Sequence, residues 1–217
     1  MMRYCLLFLA IAVNDFATAQ QTEDRWEKEI QKFERQDQER PPVLGGDLFI
    51  GSSSVRLWDL SKSFPDRSTV NRGFGGSQIA DSTKYVQRIV VPHRPSQIVM
   101  YAGDNDIAHG KDPDQVVADF QQFVNTVFGV LPETKIAFIA IKPSIKRWEL
   151  WPQMKAANQG IEAICQSDPR LIFIDISQDM LEGDAKPSAD LFAKDGLHLS
   201  DKGYALWNAR VEATLGW

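Results

Sequence analysis

The chain has few of the residues that open competing chemistries. Only two cysteines and three histidines occur among its 217 residues. Cys5 lies in an N-terminal segment expected to be removed, so Cys165 is left alone and an intramolecular disulfide framework is excluded. Cys165 sits at helical spacing with Ala157 and Ile161, where a thiol serves as a small apolar side chain. No run of Lys or Arg is long enough to follow a phosphate backbone and the formal net charge is −5, so nucleic acid is not an expected partner. No apolar run reaches the roughly 20 residues of a membrane-spanning helix. Gly73-Phe74-Gly75-Gly76 lacks the lysine of a phosphate-binding P-loop, and a G-x-S-x-G elbow is missing because Val55 stands where its last glycine would be.

What is present begins with an export signal. Met1-Met2-Arg3 is a short basic start, Tyr4 to Val13 is apolar, and Ala17-Thr18-Ala19 reads as a cleavage site. Residues 1–19 are therefore expected to be a leader, with the mature protein exported to a periplasm or the cell exterior; an uncleaved membrane anchor is the alternative. Residues 20–42 form a second unit. Within it, Trp26, Ile30 and Phe33 recur at i, i+4, i+7 and predict an amphipathic helix over Thr22–Arg40, docked on its own domain and ended by Pro41-Pro42.

Residues 43–217 alternate strand-like and helical segments. Strands are predicted at Leu48–Ile50, Ser68–Asn71, Gln97–Ala102, Lys135–Ile141 and Leu171–Ile176. Helices are predicted at Val55–Leu60, Ile79–Val90, Pro113–Leu131, Leu150–Gln166 and Asp201–Leu215. Runs such as Ile136-Ala137-Phe138-Ile139 are apolar without alternation, so both faces of the sheet are expected to be buried. The reading is a single α/β domain, a three-layer α/β/α sandwich with a five-stranded parallel sheet. Ligands of such sheets bind beyond the carboxyl ends of the strands.

Four segments gather there or in the loop before the last helix. Asp47-Leu48-Phe49-Ile50 runs into Gly51-Ser52-Ser53-Ser54, placing Ser53 where a strand turns into a helix. Asp195-Gly196-Leu197-His198 sets a carboxylate three residues before an imidazole, able to return to it through a turn at Gly196. A hydroxyl, a base and a group orienting the base are what a serine nucleophile requires. Gly76, in a glycine-rich turn, and Asn105, in the loop Gly103-Asp104-Asn105-Asp106, are candidate donors to an oxyanion. Each signal has a plainer reading: the serines as helix caps, Asp195 as a turn residue, the glycines and Asn105 as turn chemistry. Asp104 and Asp106 lack a third and fourth ligand at metal spacing, and neither metal nor cofactor is expected. Trp148 and Trp151 either wall a substrate pocket or pack in the ordinary way.

From about Val43 to Leu215 the chain resembles the SGNH (GDSL) hydrolase family. The resemblance rests on Phe49-Ile50-Gly51-Ser52-Ser53-Ser54-Val55, Asn71-Arg72-Gly73-Phe74-Gly75-Gly76-Ser77, Gly103-Asp104-Asn105-Asp106 and Asp195 to His198. Their wording is most similar to the subgroup near platelet-activating-factor acetylhydrolases, although Ser52 replaces the motif's Asp and Ser54 its Leu. The resemblance implies a flavodoxin-like strand order 2-1-3-4-5, with catalytic Ser53, Asp195 and His198 and oxyanion donors at Gly76 and Asn105. It also implies a serine esterase acting on a small-molecule, glycan or lipid ester. An O-acetyl carbohydrate deacetylase and a non-catalytic binding module are the alternatives. The ester, its acyl length and the oligomeric state are not readable from these residues.

Overall fold

The computed structural model describes residues 24–182 and 186–217. The expected leader, its cleavage site and Cys5 lie outside them. Strands β1 (Asp47–Gly51), β2 (Thr69–Gly73), β3 (Gln97–Tyr101), β4 (Lys135–Ile139) and β5 (Leu171–Ile174) form one sheet in the order β2-β1-β3-β4-β5. Every neighbouring pair is parallel. A two-residue antiparallel pair, β6 (Leu181–Glu182) with β7 (Lys186–Pro187), was not expected from the sequence.

The helices among the described residues are α1 (Glu27–Glu39), α2 (Ser53–Arg56), α3 (Leu60–Ser63), α4 (Ile79–Lys84) and α5 (Val86–Ile89), followed by α6 (Asp104–Ala108), α7 (Pro113–Phe128), α8 (Trp151–Ser167) and α9 (Asp201–Leu215). Alternate strand residues point to opposite faces, and both sets are buried. Leu48, Ile50, Ile98, Met100, Ile136 and Phe138 join a core with α1, α4, α5, α7 and α8. Phe49, Val99, Tyr101, Ala137 and Ile139 join a second core with α2, α3 and α9. This two-sided burial is why the strands are continuously apolar. A fully buried phenylalanine such as Phe120 or Phe123 on α7 contributes about 1.5–3 kcal/mol. No described helix is long and apolar enough to cross a membrane.

The boundaries differ from expectation for identifiable reasons. The helix predicted at Val55–Leu60 is two short ones, because Asn71 Nδ2 donates to the carbonyls of Val55 (2.6 Å) and Trp58 (3.2 Å) and so ends α2. Asp59 then caps α3 by accepting from the Lys62 N–H. The helix predicted at Ile79–Val90 breaks at Tyr85, whose ring turns inward edge-on to Phe74. Strand β4 stops before Ile141, whose N–H and C=O are taken by the side-chain amide of Asn158 at 2.8 and 2.9 Å. Gly103 to Asp106, expected as a loop, enters helix α6.

Helix α1 begins at Glu27 rather than Thr22 and packs on its own domain through buried Ile30 and Phe33. Half-buried Trp26 meets Phe74 edge-on. Arg88 clasps Glu27 and Glu34, Lys84 pairs with Asp24, and buried Arg72 pairs with Asp37 beside His93. These contacts fix α1 along its length, and Trp26, just before its first turn, lies against Phe74 beyond the carboxyl end of β2.

Strand β1 ends at Gly51, with φ +138°, and a Cβ there would stand 1.8 Å from the Tyr101 carbonyl oxygen. Since backbone cannot yield as a side chain can, Gly51→Ala is expected to cost at least about 2 kcal/mol. Urea denaturation measures it, and an unchanged midpoint would show that β1 and β3 separate freely here.

Candidate active site

Ser53 is the first residue of α2, directly beyond the end of β1, so its N–H has no acceptor within the helix. Ser52 occupies the cap position in extended conformation but makes no side-chain cap bond, and its buried hydroxyl has no partner. The serine cluster is therefore not a side-chain cap. The Ser53 hydroxyl lies 3.0 Å from His198 Nε2, across 145 positions of chain.

His198 Nδ1 is 2.6 Å from Asp195 Oδ2. With the proton on Nδ1 donated to Asp195, Nε2 is left as acceptor for the Ser53 hydroxyl. Asp195 Oδ1 accepts from the N–H groups of Leu197 and His198, both at 3.0 Å, as the chain turns at Gly196 (φ +64°). The Leu197 N–H foremost, and then the His198 imidazole, hold the Asp195 carboxyl well below the usual carboxylate range. The loop is itself tied down: the Ala193 N–H donates to the His198 carbonyl (2.8 Å), and Ser200 caps α9 by accepting from Gly203.

Gly76 follows β2 at φ +78°. Its turn is held against the end of β1, since the Phe74 N–H (2.9 Å) and the Ser77 hydroxyl (3.1 Å) both donate to the Gly51 carbonyl. Asn105, in the first turn of α6, donates one amide hydrogen to the Ser77 carbonyl at 3.0 Å. A side-chain amide carries two hydrogens, so one remains for an oxygen in the cavity. All five residues singled out from the sequence thus meet at one edge of the sheet. Ser53, Gly76, Asn105 and His198 line an open cavity of about 540 Å³. A cavity of similar size, about 550 Å³ beside Asp37, Arg72 and His93, shares none of them.

Sequence reasoning missed the charged network beneath. Arg147 donates to Asn105 Oδ1 and to Asp104 Oδ2, each at 2.9 Å. Buried Lys142 donates to the Tyr101 hydroxyl (2.9 Å), Asp104 Oδ2 (3.3 Å) and Ser54 Oγ (3.3 Å). Burial pushes the Asp104 carboxyl up, yet Lys142 and Arg147 together hold it below its ordinary value. Arg147 thereby orients the Asn105 amide, with oxygen toward the guanidinium and nitrogen away. One signal was available: a lysine closing the apolar run Ile136–Ile141 at a sheet edge needs a buried partner. Ser54, where the motif has Leu, supplies part of that partnership.

The remaining candidates lie apart. Asp106 accepts from Lys111 (2.9 Å) and from the Ile79 N–H, with burial the main reason its carboxyl is raised. His93 is buried beside Arg72, and His109 bonds the Asn105 carbonyl at the end of α6. Trp148 and Trp151 stack on each other and do not line the cavity. Cys165 is buried, which pushes its thiol up to about 12.

A serine, an imidazole and a carboxylate joined in series at the carboxyl edge of a three-layer α/β domain define a serine hydrolase. Residues 51–206 match the GDSL-like Lipase/Acylhydrolase family, and the chain belongs to that family. No curated protein matches the sequence. Among solved structures, it is similar to a protein provisionally described as a platelet activating factor from Streptococcus pneumonia (TM-score 0.77, 21% identity, covering 87% of this chain and 92% of that one). It is also similar to a GDSL-like lipase from Bacteroides thetaiotaomicron (TM-score 0.75, 18% identity, 86% and 97% covered). A third similar structure is a catalytic mutant of an acetylxylan esterase from Geobacillus stearothermophilus (TM-score 0.64, 16% identity, 81% and 96% covered). At these identities the solved structures establish the fold.

Because its folded-state pKa is depressed, Asp195 stays ionised as pH falls through the ordinary carboxylate value of about 3.9. Its contribution to stability is present above that value and lost only as pH falls through the lower folded-state one. A carbon-13 carboxyl titration is expected to show Asp195 still charged where exposed carboxylates have protonated. A midpoint at or above the ordinary value would contradict the Leu197 and His198 contacts.

Proposed function

We propose that this hydrolase cleaves carboxylic esters through an acyl-enzyme on Ser53, and that it does so as an exported protein. The observation that carries the reading is the unbroken hydrogen-bond series from Ser53 through His198 to Asp195. Ser53 Oγ attacks the ester carbonyl while His198 Nε2 takes the hydroxyl proton. Asp195 stabilises the imidazolium that forms. The carbonyl oxygen becomes an oxyanion, met by the N–H groups of Ser53 and Gly76 and the free amide hydrogen of Asn105. As the C–O bond breaks, His198 returns the proton to the departing alkoxide. A water then repeats the sequence, with His198 as base, and releases the acid and free Ser53. No cofactor enters these steps.

A second reading, removal of O-acetyl groups from carbohydrates, is favoured by the openness of the cavity to solvent and by the acetylxylan esterase among the similar structures. Acetate release from acetylated glycans, set against turnover of lipid and aryl esters, separates the two.

Ser53→Ala is expected to lower turnover of short aryl esters by at least about 10³-fold. Wild-type rates in that variant would refute the nucleophile. Asn105→Ala is expected to lose about 10²–10³ in kcat. Arg147→Ala should lose about 10- to 100-fold in kcat with KM little changed, because its part in catalysis is to aim that amide. Combining the two should cost no more than Asn105→Ala alone; additive losses in the double variant would show that Arg147 acts elsewhere.

A further inference from the structure

The cavity over Ser53 is walled on one side by the start of the N-terminal helix, and its charge is the opposite of the chain's. Arg25 and Arg56 line it against one acid, Glu29, which pairs with Lys32 at 3.7 Å, in a protein of net charge −5. Both arginines stand beside the oxyanion turn. Arg25 Nη2 lies 3.2 Å from where a Cβ on Gly76 would be, and Arg56 Nε lies 2.9 Å from the same point on Gly75. A side chain on Gly75 would displace the Arg56 guanidinium, and one on Gly76 would press against that of Arg25. Arg25 is held over the Trp26 ring at 4.3 Å. Trp26 is in turn fixed edge-on to Phe74, and its helix is clasped to the domain through Arg88. Arg56 is exposed on the turn after Ser53, and among the described residues no carboxylate pairs with it. A planar guanidinium binds carboxylate and phosphate oxygens through paired N–H donors.

From this geometry we infer that the enzyme selects esters carrying an anionic group, a carboxylate or a phosphate, close to the scissile bond, and that Arg25 and Arg56 read that charge. The inference rests on the esterase reading. It deepens that reading by giving the N-terminal helix a part in specificity. A cleft of one sign raises the local concentration of the opposite charge and loses that advantage as salt screens it.

The test compares kcat/KM for para-acetoxybenzoate, para-acetoxyphenyl phosphate, the uncharged para-acetoxybenzamide and the cationic para-(trimethylammonio)phenyl acetate, each divided by its rate in buffer alone. The wild-type enzyme at low salt is expected to favour at least one anionic probe over the amide by about tenfold, with the cationic probe slowest. The preference should shrink toward unity at about 0.5 M salt. Arg56→Gln and Arg25→Gln should each lower the anionic-to-neutral ratio several-fold. Arg56→Lys should keep most of it, and Glu29→Gln should raise it. Equal normalised rates on charged and neutral probes, or a ratio unmoved by both arginine variants, would overturn the inference and leave the esterase standing. Turnover of none of the probes would overturn both.

Discussion

Where β1 ends, its backbone lies against that of β3 with no room for a side chain, and the site is assembled around that contact. Gly51 accepts two hydrogen bonds from the turn that succeeds β2, and the next two residues lead into the helix that starts at Ser53. Ser53 and the glycine turn are thus referenced to one carbonyl group. Because β1 sits between β2 and β3, the loops leaving all three strands converge above it. Burial on both faces of the sheet leaves that edge as the place where polar side chains can gather.

The second constraint is electrostatic. Lys142, Asp104 and Arg147 are charges withdrawn from water, and each is costly unless paired. Asp104 lies between the two cations, while Tyr101 and Ser54 accept from Lys142. This pairing fixes a guanidinium behind Asn105 and, together with the Ser77 carbonyl that accepts from its nitrogen, settles the direction of the amide. Ordering that dipole before substrate arrives is the physical basis of oxyanion stabilisation. The substitutions at Ser52 and Ser54 bear differently on this arrangement. Ser54 joins the lysine network, whereas nothing in the structure explains Ser52, whose buried hydroxyl has no partner.

Much of the architecture was legible from local pattern. Helix α9 spans the predicted Asp201–Leu215, and α7 starts at the predicted Pro113, because a proline suited to a first helical turn and an apolar stripe are local signals. The misplaced boundaries share a cause. Asn71 ending α2, Asn158 ending β4 and Tyr85 turning in against Phe74 are interactions between segments distant in the chain. The same holds for the site. Asp195 and His198 are three residues apart and joined by a turn, so their pairing could be read directly. Arg147 reaches Asn105 only after β3 and β4 align side by side, and no local spacing records that.

The amino-acid sequence alone determined the layered α/β class, the helices with their own caps, and the residue types able to perform acyl transfer. Each of these depends on periodicity or on neighbours a few positions apart. The tertiary structure decided the 3.0 Å approach of Ser53 to His198, the aim of the Asn105 amide and the wall that Arg25 and Trp26 give the cavity. Those outcomes are set by strand order and helix docking, which bring together atoms separated by tens of residues or more and which no short stretch of the chain specifies.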